Sequence, residues 1–381
     1  MRPLIQFFCT ARLDHPDNPR ETRPKRRRAK HLKPAERRKA DPVERPPTLR
    51  NIAESAGLAV TTVSRALSGD EKIAEATRRR VAEIAAEIGY VPDRAARRLR
   101  TGKTNVIGLV LSPHDEILGF RGSMIAGISQ AITGTDFHIS MAPYDGIGDP
   151  MVPILHIVRN RLADGIIFSG TTPDDPRAAL LTREGFPFVS HGRTTLATPH
   201  AWCDYDNDTF AQLAVARLVS LGRRRLVLIP PIRDRTYYTH MMAGFQHACQ
   251  VQGVTAMIPD DVSLASTPAH LQETALMLHK TAGIDGFICP GEVAAMAVLA
   301  GFADLGIRIG QDVDVIGKQT SQTFDLYRPR IDTIYEDIRA TGEVLGRLLL
   351  RRMAGEPAEA LCALMPPAPH FRSAGGGPAP V

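Results

Sequence analysis

From residue 105 onward the chain repeats one pattern: a short apolar run, a turn, then a segment of helical length. The runs are "NVIGLVL" (105–111), "FHISMA" (137–142), "DGIIFSG" (164–170), "FPFVSHG" (186–192), "RRLVLIPP" (224–231), "DGFICPG" (285–291) and "VDVIGK" (313–318). They are apolar throughout rather than at alternate positions, as a strand buried on both faces requires. Buried strands interleaved with helices build parallel sheets covered on both sides. Roughly 270 residues of this texture exceed one ordinary domain core, so two subdomains are expected. In such sheets a ligand sits beyond the carboxyl ends of the strands.

The stretch before it reads differently. In "TTVSRALSG" (61–69), Val63, Ala66 and Leu67 recur at helical spacing, while Thr61, Thr62, Ser64, Arg65 and Ser68 form the other face. Hydroxyls and an arginine are side chains that bond phosphates and base edges. An earlier helix starts after Thr48, with Leu49, Ile52, Ala53 and Ala56 on one stripe, and Gly57 permits a tight left-handed turn after it. A third helix runs from about Glu75 to Ile88, stopped by Gly89, with Val81, Ile84, Ala85 and Ile88 inward. Helix, short glycine-containing turn, helix is the helix-turn-helix pattern.

Charge supports the same direction. The chain has 381 residues and a net charge of +6. Residues 1–46 carry 14 Lys/Arg against 6 Asp/Glu, and residues 47–104 carry 11 against 7, whereas the remainder carries 22 against 28. A basic front on an acidic body is the electrostatic footprint of a nucleic-acid binder. Residues 1–46, rich in Arg, Lys and Pro, are too polar to bury a core and are expected to be a disordered extension or to lie upstream of the native start. No apolar run approaches the ~20 residues of a membrane helix, and the opening "MRPLIQFFCTARLDHP" is too briefly apolar for a secretory signal. Five scattered cysteines without a C-x-x-C fit a reducing cytoplasm and argue against disulfides or zinc.

Motifs for catalysis or metal binding fail on spacing. "TGKT" (101–104) resembles the end of a phosphate loop, but the earlier glycine falls on Arg97 and no strand precedes it. The acidic "CDYDND" (203–208) suggests a cation, yet its position before a helix expected at 209–221 favours capping and dipole contacts. No nucleophile–base set and no histidine pair at ligand spacing occurs, so no enzyme, cofactor or metal is expected.

With these parts in this order, residues 47–373 resemble the LacI/GalR family of bacterial transcription regulators. The head blocks are "TLRNIAESAGLAVTTVSRALSG" and "TRRRVAEIAAEIGYVPDRAARRL"; the body blocks include "RLADGIIFSG", "CDYDNDTFAQLAVARLVSLGRRRLVLI", "MMAGFQHA", "AAMAVLAGFADLGI" and "VDVIGK". The resemblance implies an all-α helix-turn-helix head at 47–91, a hinge helix and linker at 92–104, a two-lobed body of two doubly wound parallel-sheet subdomains of periplasmic-binding-protein type at 105–373, and a flexible tail at 374–381. It implies a cytoplasmic homodimer, a repressor, that binds double-stranded operator DNA under the control of a small effector. A stand-alone periplasmic-type binding protein without a DNA role is the alternative.

For DNA, the resemblance places Val60 and Thr61 against base edges, Thr62 and Ser64 on phosphates, and Arg65 on a guanine or a phosphate, with Thr48, Leu49 and Ser68 nearby. It assigns Arg94, Ala96, Arg97 and Leu99 to the hinge helix, where Leu99 would wedge into the minor groove while Arg94, Arg97 and Arg98 neutralise phosphates. Family caps fall on Ala59 and Ala74, which forgo a bond worth ~1 kcal/mol each. The family's sugar-binding Arg, Asn and Asp fall here on Met241, Gly291 and Gln319, so three usual sugar contacts are changed. Around the cleft the expected residues are Ser112, His114, Asp115, Glu116, His191, Arg193, Tyr238, His240, Glu292, Lys318 and Gln319. Their mixture of donors and acceptors suits a carbohydrate or sugar acid, with Asp115 and Arg193 as anchors.

Overall fold

A computed structural model describes residues 47–91, 98, 102–113, 117–144, 146 and 148–372. The chain divides into two compact units, one ending at Val91 and the other beginning at Pro92.

The first unit holds α1 (Leu49–Ala56), α2 (Val60–Leu67) and α3 (Glu75–Glu87). Ile52, Ala53, Ala56, Val63, Ala66, Val81 and Ala85 meet in its core. At the start of α1, Thr48 donates from its backbone N and from Oγ1 to Asn51 Oδ1, at 2.9 and 2.7 Å. Gly57 ends α1 at φ +65°, a conformation costly for any residue with a Cβ. Neither Ala59 nor Ala74 supplies a side-chain bond to the helix it precedes.

The second unit contains two six-stranded sheets. The first, in the order β11-β5-β4-β3-β1-β2, is built from β1 (Val106–Val110), β2 (His138–Met141), β3 (Gly165–Ser169), β4 (Phe188–His191), β5 (Trp202–Tyr205) and β11 (Cys362–Met365). The second, in the order β12-β10-β9-β8-β6-β7, takes β6 (Arg225–Leu228), β7 (Thr255–Met257), β8 (Gly286–Cys289), β9 (Asp314–Gln319), β10 (Asp332–Tyr335) and β12 (Ala368–His370). All named pairings are parallel except that of β10 with β12. Both sheets are doubly wound, and every residue of β3, β8 and β9 is buried. That accounts for the unbroken apolar runs of the sequence.

Helices cover both faces. In chain order they are α4 (Phe120–Ile132), α5 (Met151–Arg159), α6 (Pro176–Arg183), α7 (Asn207–Ser220), α8 (Thr236–Gln252), α9 (Pro268–Ala282), α10 (Glu292–Asp304), the short α11 (Thr323–Leu326) and α12 (Ile338–Met353). The chain passes between lobes three times: from β5 into α7, from β10 into α12, and from β11 into β12. Ile107, Ile128, Ile167, Val189 and Leu345 share one core in the first lobe, and Val227, Phe287, Val298 and Val315 share one in the second.

Two motifs set aside on spacing have structural roles. Thr104 N, Thr104 Oγ1 and Asn105 N all donate to the Asp164 carboxylate at 2.8–2.9 Å, so the end of "TGKT" fastens the start of β1. Asp206 caps α7, accepting from Thr209 N at 3.1 Å and Thr209 Oγ1 at 2.7 Å. Among the described residues no cluster of metal-ligating side chains occurs, and no helix is long and apolar enough to cross a membrane.

Candidate functional site

In the head, α2 packs through Val63 and Ala66 and turns Val60 (41% exposed), Thr61, Arg65 and Ser68 to solvent. Thr62 and Ser64 are half-buried. Ser68 Oγ donates to the Arg65 carbonyl at 2.9 Å. Arg65 is not a loose cation: its Nε donates to Asp70 Oδ2 at 2.8 Å, and this bond holds the Asp70 carboxyl below the usual carboxylate range. A base or phosphate would have to compete with Asp70 for Arg65. Arg94, Ala96, Arg97 and Leu99 lie outside the described residues, as do His114, Asp115 and Glu116. Arg98 is described, and it donates to the carbonyls of Asn160 (3.1 Å) and Arg161 (2.7 Å) at the end of α5. Cations suit a helix carboxyl terminus, where the dipole is negative.

Between the lobes lies a narrow cleft with a cavity volume of about 40 Å³, below the usual size range of small-molecule sites. Its walls are the carboxyl ends of strands from both sheets. Gly170 and Thr171 follow β3, His191 ends β4 and Gly192 follows it, Tyr205 ends β5, Pro290 follows β8, Lys318 stands near the end of β9, and Glu336 follows β10. Ile117, Leu264 and Tyr237 add apolar surface, and Asp204 and Asn207 add polar atoms. Gly170 and Gly192 adopt φ +70° and +106°, and a Cβ on either would collide with Ser112 Oγ (2.5 Å) or Thr171 Oγ1 (2.3 Å).

The charges of this cleft are closed on one another. Lys318 Nζ lies 2.8 Å from Glu336 Oε2, donates to Asn207 Oδ1 at 3.1 Å, and sits 4.3 Å over the Tyr205 ring. Arg193, just beyond Gly192, donates from Nε to Asp204 Oδ2 at 2.7 Å, with its guanidinium 5.5 Å over the Trp202 ring. Behind the cleft, Arg177 is 2% exposed and grips Asp175 while donating to the carbonyls of Ser169 and Gly170. Burial opposes ionisation of Asp175, but the Arg177 guanidinium outweighs it and keeps that carboxyl below its ordinary range. Arg235, from the other lobe, donates to the same Gly170 carbonyl at 2.9 Å.

The residues expected around an effector therefore divide. His191 lines the cleft, and Arg193 and Lys318 border it in ion pairs. Tyr238 is half-buried, with its ring 6.0 Å from the Arg233 guanidinium. His240 Nε2 is buried without a hydrogen-bond partner, and burial, then the Arg193 charge, hold this imidazole below its ordinary range. Ser112, Glu292 and Gln319 are engaged elsewhere. Ser112 donates from its backbone N to Ser169 Oγ and from its own Oγ to the Ser169 carbonyl. Gln319 accepts from Thr333 Oγ1 at 2.6 Å and donates to the Ser321 carbonyl. The Glu292 carboxylate accepts from Thr320 N and Oγ1, from Ser321 N and Oγ, and across the cleft from Leu118 N at 3.0 Å. Met241 is 0% exposed in the core of the second lobe. Sequence reasoning passed over Asp204 and Asn207 as helix-capping acids and amides, and Trp202, Tyr237 and Glu336 gave no signal.

A helix-turn-helix unit joined in one chain to a two-lobed, cleft-bearing α/β unit defines a ligand-responsive class of DNA-binding transcription regulator. Residues 48–93 match the model of bacterial regulatory proteins of the lacI family, and residues 215–374 match a periplasmic binding protein-like domain. The HTH-type transcriptional regulator RafR of Escherichia coli is 33% identical over 256 residues, covering 66% of this chain and 76% of that protein. CelR of Thermobifida fusca is 28% identical over 326 residues, covering 83% and 94%. A lac repressor dimer bound to operator shares the fold at TM-score 0.70 and 23% identity, covering 85% and 98%. The chain belongs to the LacI family of transcription regulators.

Proposed function

We propose that this regulator is a cytoplasmic repressor, not an enzyme, that binds a duplex operator as a homodimer and releases it when a small uncharged sugar occupies the cleft. The observation carrying the ligand class is the closure of Lys318 on Glu336 and of Arg193 on Asp204. An anionic ligand would have to displace a carboxylate from a cation it already pairs, and a cationic ligand would have to displace the cation. Breaking a buried ion pair by removing one partner costs about 3–5 kcal/mol. An uncharged polyol needs neither exchange, since each hydroxyl both donates and accepts. Ile117, Leu264 and the ring of Tyr237 offer the apolar faces that sugar C–H surfaces pack against. On the DNA side, Val60 and Thr61 read base edges, while Thr62 and Ser64 fix the register on phosphates.

The test is a thermal-shift panel on the full chain with neutral mono- and disaccharides, sugar acids, sugar phosphates, purines and amino acids. Cellobiose belongs in it, since a CelR–cellobiose complex shares the fold. The melting temperature is expected to rise with a neutral sugar alone. A rise confined to a sugar acid, sugar phosphate, purine or amino acid overturns the ligand class.

A further inference from the structure

We propose that Lys318 is the positioning residue that sets the angle between the two lobes. Of the three passages between lobes, the first runs from Tyr205 to Asn207 and the second from Tyr335 through Glu336 to Ile338. Lys318 belongs to neither. It comes from β9, inside the second lobe, and its ammonium joins both: Glu336 Oε2 at 2.8 Å and Asn207 Oδ1 at 3.1 Å. Asn207 is in turn anchored by its own Nδ2, which donates to the Tyr205 carbonyl at 3.0 Å. The rings of Tyr205 and Phe210 lie 4.3 and 5.3 Å from the ammonium.

The energetics follow from burial. Lys318, Asn207 and Glu336 are 4%, 3% and 3% exposed. An ammonium in such a place is costly to bury unless its partners stay within reach. Rotation of one lobe about the passages would swing the Tyr205 ring, at the end of β5 in the first lobe, off the ammonium and disturb the Asn207 side chain that the Tyr205 carbonyl anchors. Among the described residues one other side chain links the same two passages, through the long 3.4 Å bond from Tyr205 Oη to the Tyr335 carbonyl. Lys318, Glu336, Asn207 and Tyr205 also line the cleft. On the proposed reading of the cleft, an occupant thus touches the group that holds the lobe angle.

The experiment uses the full chain and no effector, so its failure is separate from failure of the ligand reading. Lys318→Met combined with Glu336→Leu removes both charges together, which leaves no charge stranded and is often neutral for stability. Glu336→Gln alone keeps an acceptor oxygen and serves as a second, milder variant. Amide hydrogen exchange is followed at Asp206 and Glu336, whose N–H groups bond to the Met365 and Gln319 carbonyls at the passages. Ile167 and Val315, in the sheet interiors, are the controls. Exchange at Asp206 and Glu336 is expected to rise at least tenfold in the double variant and by a smaller factor in Glu336→Gln, with the controls within twofold of the parent. X-ray scattering of the double variant should show a larger radius of gyration. Unchanged exchange at the passages overturns the proposal, and so does an equal rise at Ile167 and Val315, which marks a merely structural pair. Should the double variant not fold, the same comparison in Glu336→Gln decides.

Discussion

Gly127 of α4 faces the backbone of α12 so closely that a Cβ built on it would stand 2.0 Å from the Arg339 carbonyl oxygen. Gly342 and Gly346 complete the contact from the other side, each within 2.4–2.6 Å of α4 atoms by the same construction. The helix that returns from the second lobe can therefore lie directly on the first.

Gly127→Ala is expected to destabilise the body by about 1–3 kcal/mol, the ordinary range for overpacking. Gly122, exposed on the same helix with nothing within 4 Å of its Cβ position, is the control. Gly122→Ala should leave stability unchanged or raise it by up to about 1 kcal/mol, because alanine loses less entropy in a helix. Thermal melts of the two variants check this, and equal melting temperatures would refute the close contact.

Asp204→Asn removes the carboxylate that neutralises Arg193, whose side chain is 25% exposed beside the cleft. The variant should gain affinity for sugar acids and change its affinity for neutral sugars by a smaller factor. Calorimetry with matched pairs, such as glucose and gluconate, measures the ratio. A ratio unmoved by the substitution would show that the Arg193–Asp204 pair does not select for charge.

Ala59→Ser and Ala74→Ser should each stabilise the head by about 1 kcal/mol, since both positions hold extended ψ angles of 145° and 140° with no side-chain bond to the following helix. Slower amide exchange in α2 and α3 of the full chain is the readout. Exchange in the body should not change.

His200 and His240 give the body an acid-sensitive limb. Burial holds both imidazoles below the ordinary value of 6.5; at His240 the Arg193 charge adds to it, while at His200 Asp175 opposes it. As pH falls through 6.5 the unfolded chain takes up protons that the fold refuses, so stability declines below that pH and is flat with respect to these groups above it. His200→Gln should reduce the loss of melting temperature between pH 7 and pH 5.5. Ser190 Oγ, 3.0 Å from the ring Nε2, can still bond the amide. An unchanged pH profile would remove His200 as a cause.

Seven of the twelve described strands, β1–β4, β6, β8 and β9, were legible as apolar runs, while the short β7 and the strands β10, β11 and β12 were not. Nor was β5, since "WCDY" places an acid and two polar-tipped rings on a strand and leads into the acidic cap of α7. The three head helices were legible from Val63, Ala66 and Val81 at helical spacing. The cleft was harder. Which of two carboxylates faces a ligand depends on loop geometry: Glu292 stands at a helix start pointing at five donors, whereas Glu336 closes on an ammonium. Lys318 and Asn207 are 111 residues apart, and no local pattern announces that they meet.

The most direct measurement is operator affinity of the full chain with and without the sugar that raises its melting temperature. In vitro selection on random duplexes first supplies the operator, expected to be near-palindromic as a two-fold dimer requires. Exchange of Val60 and Thr61 should change the selected bases, whereas Thr62→Ala should weaken all duplexes alike. Fluorescence anisotropy on that duplex should then show the sugar weakening binding at least tenfold, or about 1.4 kcal/mol. Selection that returns no consensus, or an operator affinity indifferent to an occupied cleft, would contradict the account.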